Sequence, residues 1–108
     1  MYEETYDEIQ DILTEFGKPL IFVTGTILGI SAFYTEILSG GDMYPIEQQC
    51  YNFQIASKDM INLSLKPDAV FTMDDAVYRY TFVINNVGMS YLDGWNRIFA
   101  DMTKKELL

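Results

Sequence analysis

The chain has 108 residues, enough for one domain, and 49% of them are hydrophobic, including eight Tyr and seven Phe, which suffices for a core. Sixteen acidic against seven scattered basic residues give a net charge of −9. That surface repels phosphate backbones and argues against nucleic-acid binding by charge, although it suits a partner with a basic face. There is no apolar run of about 18 residues to span a membrane, no histidine, and a single cysteine, Cys50. The first residues, Met1 to Glu4, lack the basic and apolar regions of a secretory signal, so a cytosolic protein is expected.

Residues 2–17 read as one acidic amphipathic helix. Tyr6, Ile9, Leu13 and Phe16 recur at intervals of three and four, with Ile12 widening the stripe. Glu3, Glu4, Asp7, Glu8, Asp11 and Glu15 occupy the other side, and the earliest of them suit the positive end of the helix dipole. Gly17-Lys18-Pro19 stops the helix. Glu4, Asp7, Glu8, Asp11 and Glu15 are candidate interface residues for a basic partner, the alternative being a solvated face. No histidine or Ca²⁺-type loop completes a metal shell around them, so no metal is expected.

After this break the rhythm changes to short apolar runs. Leu20 to Val23 reads as a strand, Thr24-Gly25 as a turn, and Thr26 to Tyr34 as a second strand. In that second strand Leu28, Ile30, Ala32 and Tyr34 share one face, and Gly29 and Ser31 share the other. Gly29 marks a bulge, a bend or a close approach. Residues 37–48 form the longest irregular segment, in which Ile37, Leu38, Met43, Tyr44 and Ile46 surround a glycine pair; Met43, Tyr44 and Ile46 are candidate intersubunit contacts, the alternative being burial on their own domain. Gln49 to Ala56 alternates, with Tyr51, Phe53 and Ile55 on one side. Ser57 is placed to cap a short helix or turn through Ile61, and Lys66 to Ala69 form a turn.

Val70 to Thr72 and Val77 to Ile84 predict a hairpin, in which Tyr78, Tyr80, Phe82 and Ile84 share a face. Asp74 and Asp75 lie in its turn; neighbouring turn residues point apart, so a turn role is expected rather than an acid/base pair. Asn85 to Gly88 are expected to end that strand, and Trp95 to Met102 to form the last one. Residues 103–108 read as a flexible tail whose Leu107 and Leu108 become ordered under a partner. The β body is thus 19–102 of a single domain spanning 1–108, in an antiparallel barrel or sandwich with an N-terminal helix. Cys50 has no histidine partner and the chain has no glycine-rich phosphate loop. No catalytic residue, cofactor or enzyme activity is therefore expected.

This order of elements resembles the small head–tail joining, or head-completion, proteins of tailed bacteriophages. The parts that carry the resemblance are the helix end at Phe16-Gly17, the strand-turn-strand from Val23 to Ile30, and the step from Phe53 to Met60. The lead-in from Leu65 to Val70 and the strand from Val77 to Phe82 complete it. The resemblance covers most of the chain. It implies a barrel-like or sandwich-like fold, no catalysis, and assembly into a homo-oligomeric ring at the virion neck, between portal or head-completion components and the tail. Host cytoplasm would be its site before assembly. A channel-lining acidic face would let DNA slide without sticking. A tail-completion or terminator role, or a protein-binding adaptor outside any virion, are the alternatives.

Overall fold

The computed structural model describes residues 6–39, 45–89 and 94–108, apart from the side chains of 33–39, 45–49 and 89. Helix α1 (Tyr6–Phe16) is followed by β1 (Lys18–Phe22), β2 (Gly25–Ser39), β3 (Pro45–Ala56), α2 (Ser57–Asn62), β4 (Val70–Asp74), β5 (Tyr78–Met89) and β6 (Trp95–Leu107). The six strands close into an antiparallel barrel in the order β1-β2-β3-β6-β5-β4. Closure decides between the two expected architectures in favour of the barrel.

Each strand contributes its inward residues to one core. Leu20 and Phe22 of β1 meet Ile27, Phe53, Ile55, Phe71, Met73, Phe82, Ile84, Ile98 and Ala100 from the other strands, with Leu65 closing one end. Rings dominate the centre. Phe53 meets Phe71 and Phe82 edge-on with centroids 5.1 Å apart, and Phe71 stacks on Phe82 at 5.3 Å. Both geometries suit the ring quadrupole. The expected alternation of β3 and β5 is thus the barrel alternation.

Strand β2 serves two cores. Ile27 and Gly29 turn inward, whereas Leu28 and Ile30 lie on the outer surface beneath α1. A second cluster forms there from Ile9, Leu13, Ala56 and Trp95, with Tyr6, Ile12, Leu28 and Ile30 at its margin. This explains why both faces of β2 read as apolar. The helical stripe is shorter than expected: Phe16 is the last helical residue and is 65% exposed, because the cluster beneath α1 reaches only to Leu13.

Several expected boundaries move outward. β2 and β3 run through Ser39 and from Pro45, so much of the segment 37–48 is paired strand rather than irregular chain. β5 does not end at Asn85: one irregularity in its register, between Ile84 and Asn86, skips that residue, and pairing with β6 continues as far as Met89. The supposed tail 103–108 is corrected as well. Residues through Leu107 belong to β6 and pair with β5, where Tyr78 faces Leu107 and Tyr80 faces Lys105. Ser57 does not cap α2; the N-cap is Ala56, with no side-chain cap bond.

Candidate functional site

Three features of the described surface bear on function: the acidic flank of α1, the ends of the long strands, and the β4–β5 turn. On α1, Asp7, Glu8, Asp11 and Glu15 are all exposed, as the 3.6-residue period requires once Ile9 and Leu13 are buried. Glu4 lies outside the described residues. The helix is fixed at its start by Asp59 of α2, a carboxylate buried to 7% exposure. Asp59 accepts hydrogen bonds from the Tyr6 hydroxyl (2.6 Å) and from Gln10 Nε2 (2.9 Å). Chiefly through that bond to Asp59, and secondarily through burial, the Tyr6 hydroxyl is pushed up to about 12. The Lys58 ammonium lies 4.9 Å from the centre of the Tyr6 ring. The acidic face is therefore held on the barrel by a polar latch as well as by apolar burial.

The long strands leave the barrel in pairs. β3 pairs with β6 only between Tyr51–Ala100 and Ala56–Trp95. Beyond that point β3 continues to Pro45 paired with β2 out to Ser39, while β6 continues to Leu107 paired with β5. Among the described residues, no strand pairs with the second edge of 45–49 of β3 or of 101–107 of β6. The β2–β3 arm extends six residues past the last β3–β6 pair, a reach of about 20 Å at the usual strand rise. Ile46 belongs to this arm, opposite Leu38. Met43 and Tyr44 lie outside the described residues.

Leu107 and Leu108 are exposed, 71% and 63%, and join exposed Val77 at the end of the β5–β6 ribbon. There the Leu108 N–H donates to the Val77 carbonyl at 2.9 Å. The ribbon has its own cross-strand support, since the Lys105 ammonium sits 4.2 Å from the Tyr78 ring centre and 5.7 Å from that of Tyr80. The candidate residues therefore fall on separate elements: the carboxylates on α1, Ile46 on the arm, and the two leucines at the end of β6.

Asp74 and Asp75 are both engaged in the hairpin. Asp74 forms a two-pronged pair with Arg79, at 2.8 and 3.0 Å, which lowers the carboxyl and raises the guanidinium. Asp75 accepts from the Tyr80 hydroxyl (2.6 Å) and from the N–H groups of Tyr78 (2.6 Å) and Val77 (2.8 Å). These bonds, the Tyr80 hydroxyl first, lower its carboxyl to about 2. A general acid at neutral pH needs the opposite displacement, so the pair is turn chemistry.

No group of three His, Cys, Asp or Glu side chains is placed to hold a metal among the described residues. No described helix is long and apolar enough to cross a membrane. An apolar groove of about 350 Å³ opens at one barrel end between Phe22, Val23 and the 63–70 segment. It has no titratable cluster facing a common point that would give it chemistry.

Sequence comparison finds no matching protein-family model and no matching curated protein. The functional reading therefore rests on the residues themselves.

What sequence reading missed is the free edges and the Tyr6–Gln10–Asp59 latch. The latch spans 53 residues and leaves no local pattern.

Proposed function

We propose that this chain is a non-enzymatic joining or completion protein of the head–tail connector of a tailed phage or prophage, acting as one module of a homo-oligomeric ring. One observation carries the reading: a small closed barrel sends out a two-stranded arm whose outer half pairs with nothing else among the described residues. Exposed strand edges are an aggregation hazard that monomeric proteins normally cover or blunt. A protein built to contact neighbours around an axis has a use for them.

The acidic α1 face supports the same reading. A ring multiplies the charge of Asp7, Glu8, Asp11 and Glu15 around its axis. Facing a channel, such a surface repels DNA phosphates and keeps the strand mobile; facing outward, it attracts a basic neck component. The exposed Val77, Leu107 and Leu108 offer an apolar contact for a portal-side or tail-side partner. On this reading the protein waits in the host cytoplasm and ends in the virion neck.

The test is complementation of assembly. Heads and tails made without the chain are mixed with the purified protein, and joined particles are imaged with the protein labelled. Label at the neck and recovery of infectious particles are the expected outcome. Normal particles in its absence, with no binding to heads or tails, would reject the role.

A further inference from the structure

We infer that copies of this chain join by strand addition, the free edge of β3 in one copy pairing antiparallel with the free edge of β6 in the next; this rests on the ring reading above. Both edges belong to the same molecule, and among the described residues both run on without a partner strand past the same point. The β3–β6 ladder stops at Tyr51–Ala100, although each strand continues by six or more residues. A second copy's arm laid on β6 prolongs that ladder and reproduces, between molecules, the strand order β2-β3-β6-β5 already present in the barrel. Because the two edges differ, the contact is head-to-tail, the kind that makes a ring when the rotation between copies closes.

Charge selects this pairing over the self-pairings. No Lys or Arg occurs between Phe33 and Cys50, and Glu36 and Glu47 lie on the two arm strands. The outer part of β6 carries Lys104 and Lys105. Counting four residues on from Tyr51–Ala100 along both strands reaches Glu47 and Lys104. The register irregularity of β6 between Met102 and Lys104 displaces this by one residue at most, which places Glu47 against Lys105 instead. Either way an acidic position of one strand is in register with a basic position of the other. Pairing β6 with β6 sets lysines against lysines, and pairing β3 with β3 sets the Glu47 carboxylates near each other; like charges in opposed positions are unfavourable.

The backbone agrees. The Leu108 N–H points to β5, where it bonds Val77. Alternation along an antiparallel strand then turns the Leu107 and Lys105 N–H groups toward the free edge. Donors are therefore presented where the arm of a second copy supplies carbonyls. The only ion pair drawn by Lys104 among the described residues is the exposed one with Glu106, at 3.5 Å, and such a pair is readily exchanged.

The experiment is a charge swap on the full chain, read by light scattering on a sizing column and by sedimentation across a concentration series. Glu47→Lys alone, and Lys104→Glu with Lys105→Glu, should each weaken self-association about tenfold, as expected when opposed charges become like charges. An equimolar mixture of the two variants should recover it, since every contact between unlike variants then matches. Recovery on mixing also certifies that both variants are folded. Closure of the arm on its own β6 predicts recovery only when all three substitutions share one chain, and that result overturns the inference. Variants that assemble like the wild type also overturn it while leaving the ring reading standing. A wild-type chain that stays monomeric both free and on purified heads overturns the two together.

Discussion

The Tyr6 hydroxyl donates a 2.6 Å hydrogen bond to the Asp59 carboxylate, joining the first turn of α1 to α2 across 53 residues of sequence. Asp59 is buried, and that bond together with the one from Gln10 gives each of its two carboxylate oxygens a donor. Tyr6→Phe keeps the ring under Lys58 and removes only the donor. It should cost about 1.5–3 kcal/mol, the range for hydrogen bonds to charged groups. Urea unfolding followed by the single Trp95 measures it. An unchanged midpoint would mean that water replaces the hydroxyl without loss.

The same bond makes an alkaline prediction. Tyr6 is raised from the ordinary 10 to about 12, so folding favours its neutral, donating form. Its contribution is fully present below pH 10 and disappears as pH rises through 12. Stability of the wild type minus that of Tyr6→Phe should shrink across that window. A constant difference would show that the bond does not set the titration.

At acid pH the β4–β5 turn governs the sign. Asp75 is lowered from 3.8 to about 2 by the Tyr80 hydroxyl and the Tyr78 and Val77 amides. Its contribution is present above about pH 4 and is lost as pH falls through 2; Asp74, lowered by Arg79, acts in the same direction. Asp75→Asn should therefore flatten the urea midpoint against pH between about 4 and 2. An equally steep profile in the variant would assign the acid sensitivity to other carboxylates.

Gly29 faces the barrel interior from β2. A Cβ built there would lie 2.6 Å from Leu20 Cδ1 and 3.2 Å from Ile55 Cγ2, and both of those residues are fully buried. Gly29→Ala should destabilise by about 1–3 kcal/mol, the usual cost of overpacking. Adding Leu20→Val should return part of that loss, which a double-mutant cycle in urea detects. Additive losses would mean that the backbone, not Leu20, yields to the methyl group.

How far the sequence could be read depended on whether a residue's partner was the barrel. Phe53, Ile55, Phe82 and Ile84 face one shared core, so period-two alternation exposed them and the mainly β class. Beyond Ala100 every residue of β6 is exposed, and without a buried face alternation carries no signal. That is why 103–108 read as a tail. The arm failed for a related reason: among the described residues its outer part pairs only within the arm, and a glycine pair between apolar residues resembles a loop. Of the site, the exposed α1 carboxylates were legible because burial of Ile9 and Leu13 places them. The edges were not, since an edge is a property of what fails to pair. Deleting 103–108 tests the revised view. It removes the β6 partners of Tyr78 to Thr81 and should cost about 2–5 kcal/mol at about 1 kcal/mol per net hydrogen bond lost. Unchanged stability would restore the tail reading.

Leu13 is fully buried beneath α1, in a cluster with Ile9, Ala56 and Trp95 that is separate from the barrel core. Leu13→Ala removes the centre of that cluster and should cost about 2–5 kcal/mol. The loss belongs to docking of α1, because no residue of the helix enters the barrel core. Trp95 is only 7% exposed, so undocking wets its indole and shifts emission to the red. In the variant this shift should precede loss of the β-sheet circular dichroism signal as urea rises, whereas the wild type should show the two together. Coincident transitions in the variant would mean that helix and barrel unfold as one unit. The acidic face would then be a fixed part of the barrel wall rather than an element able to release.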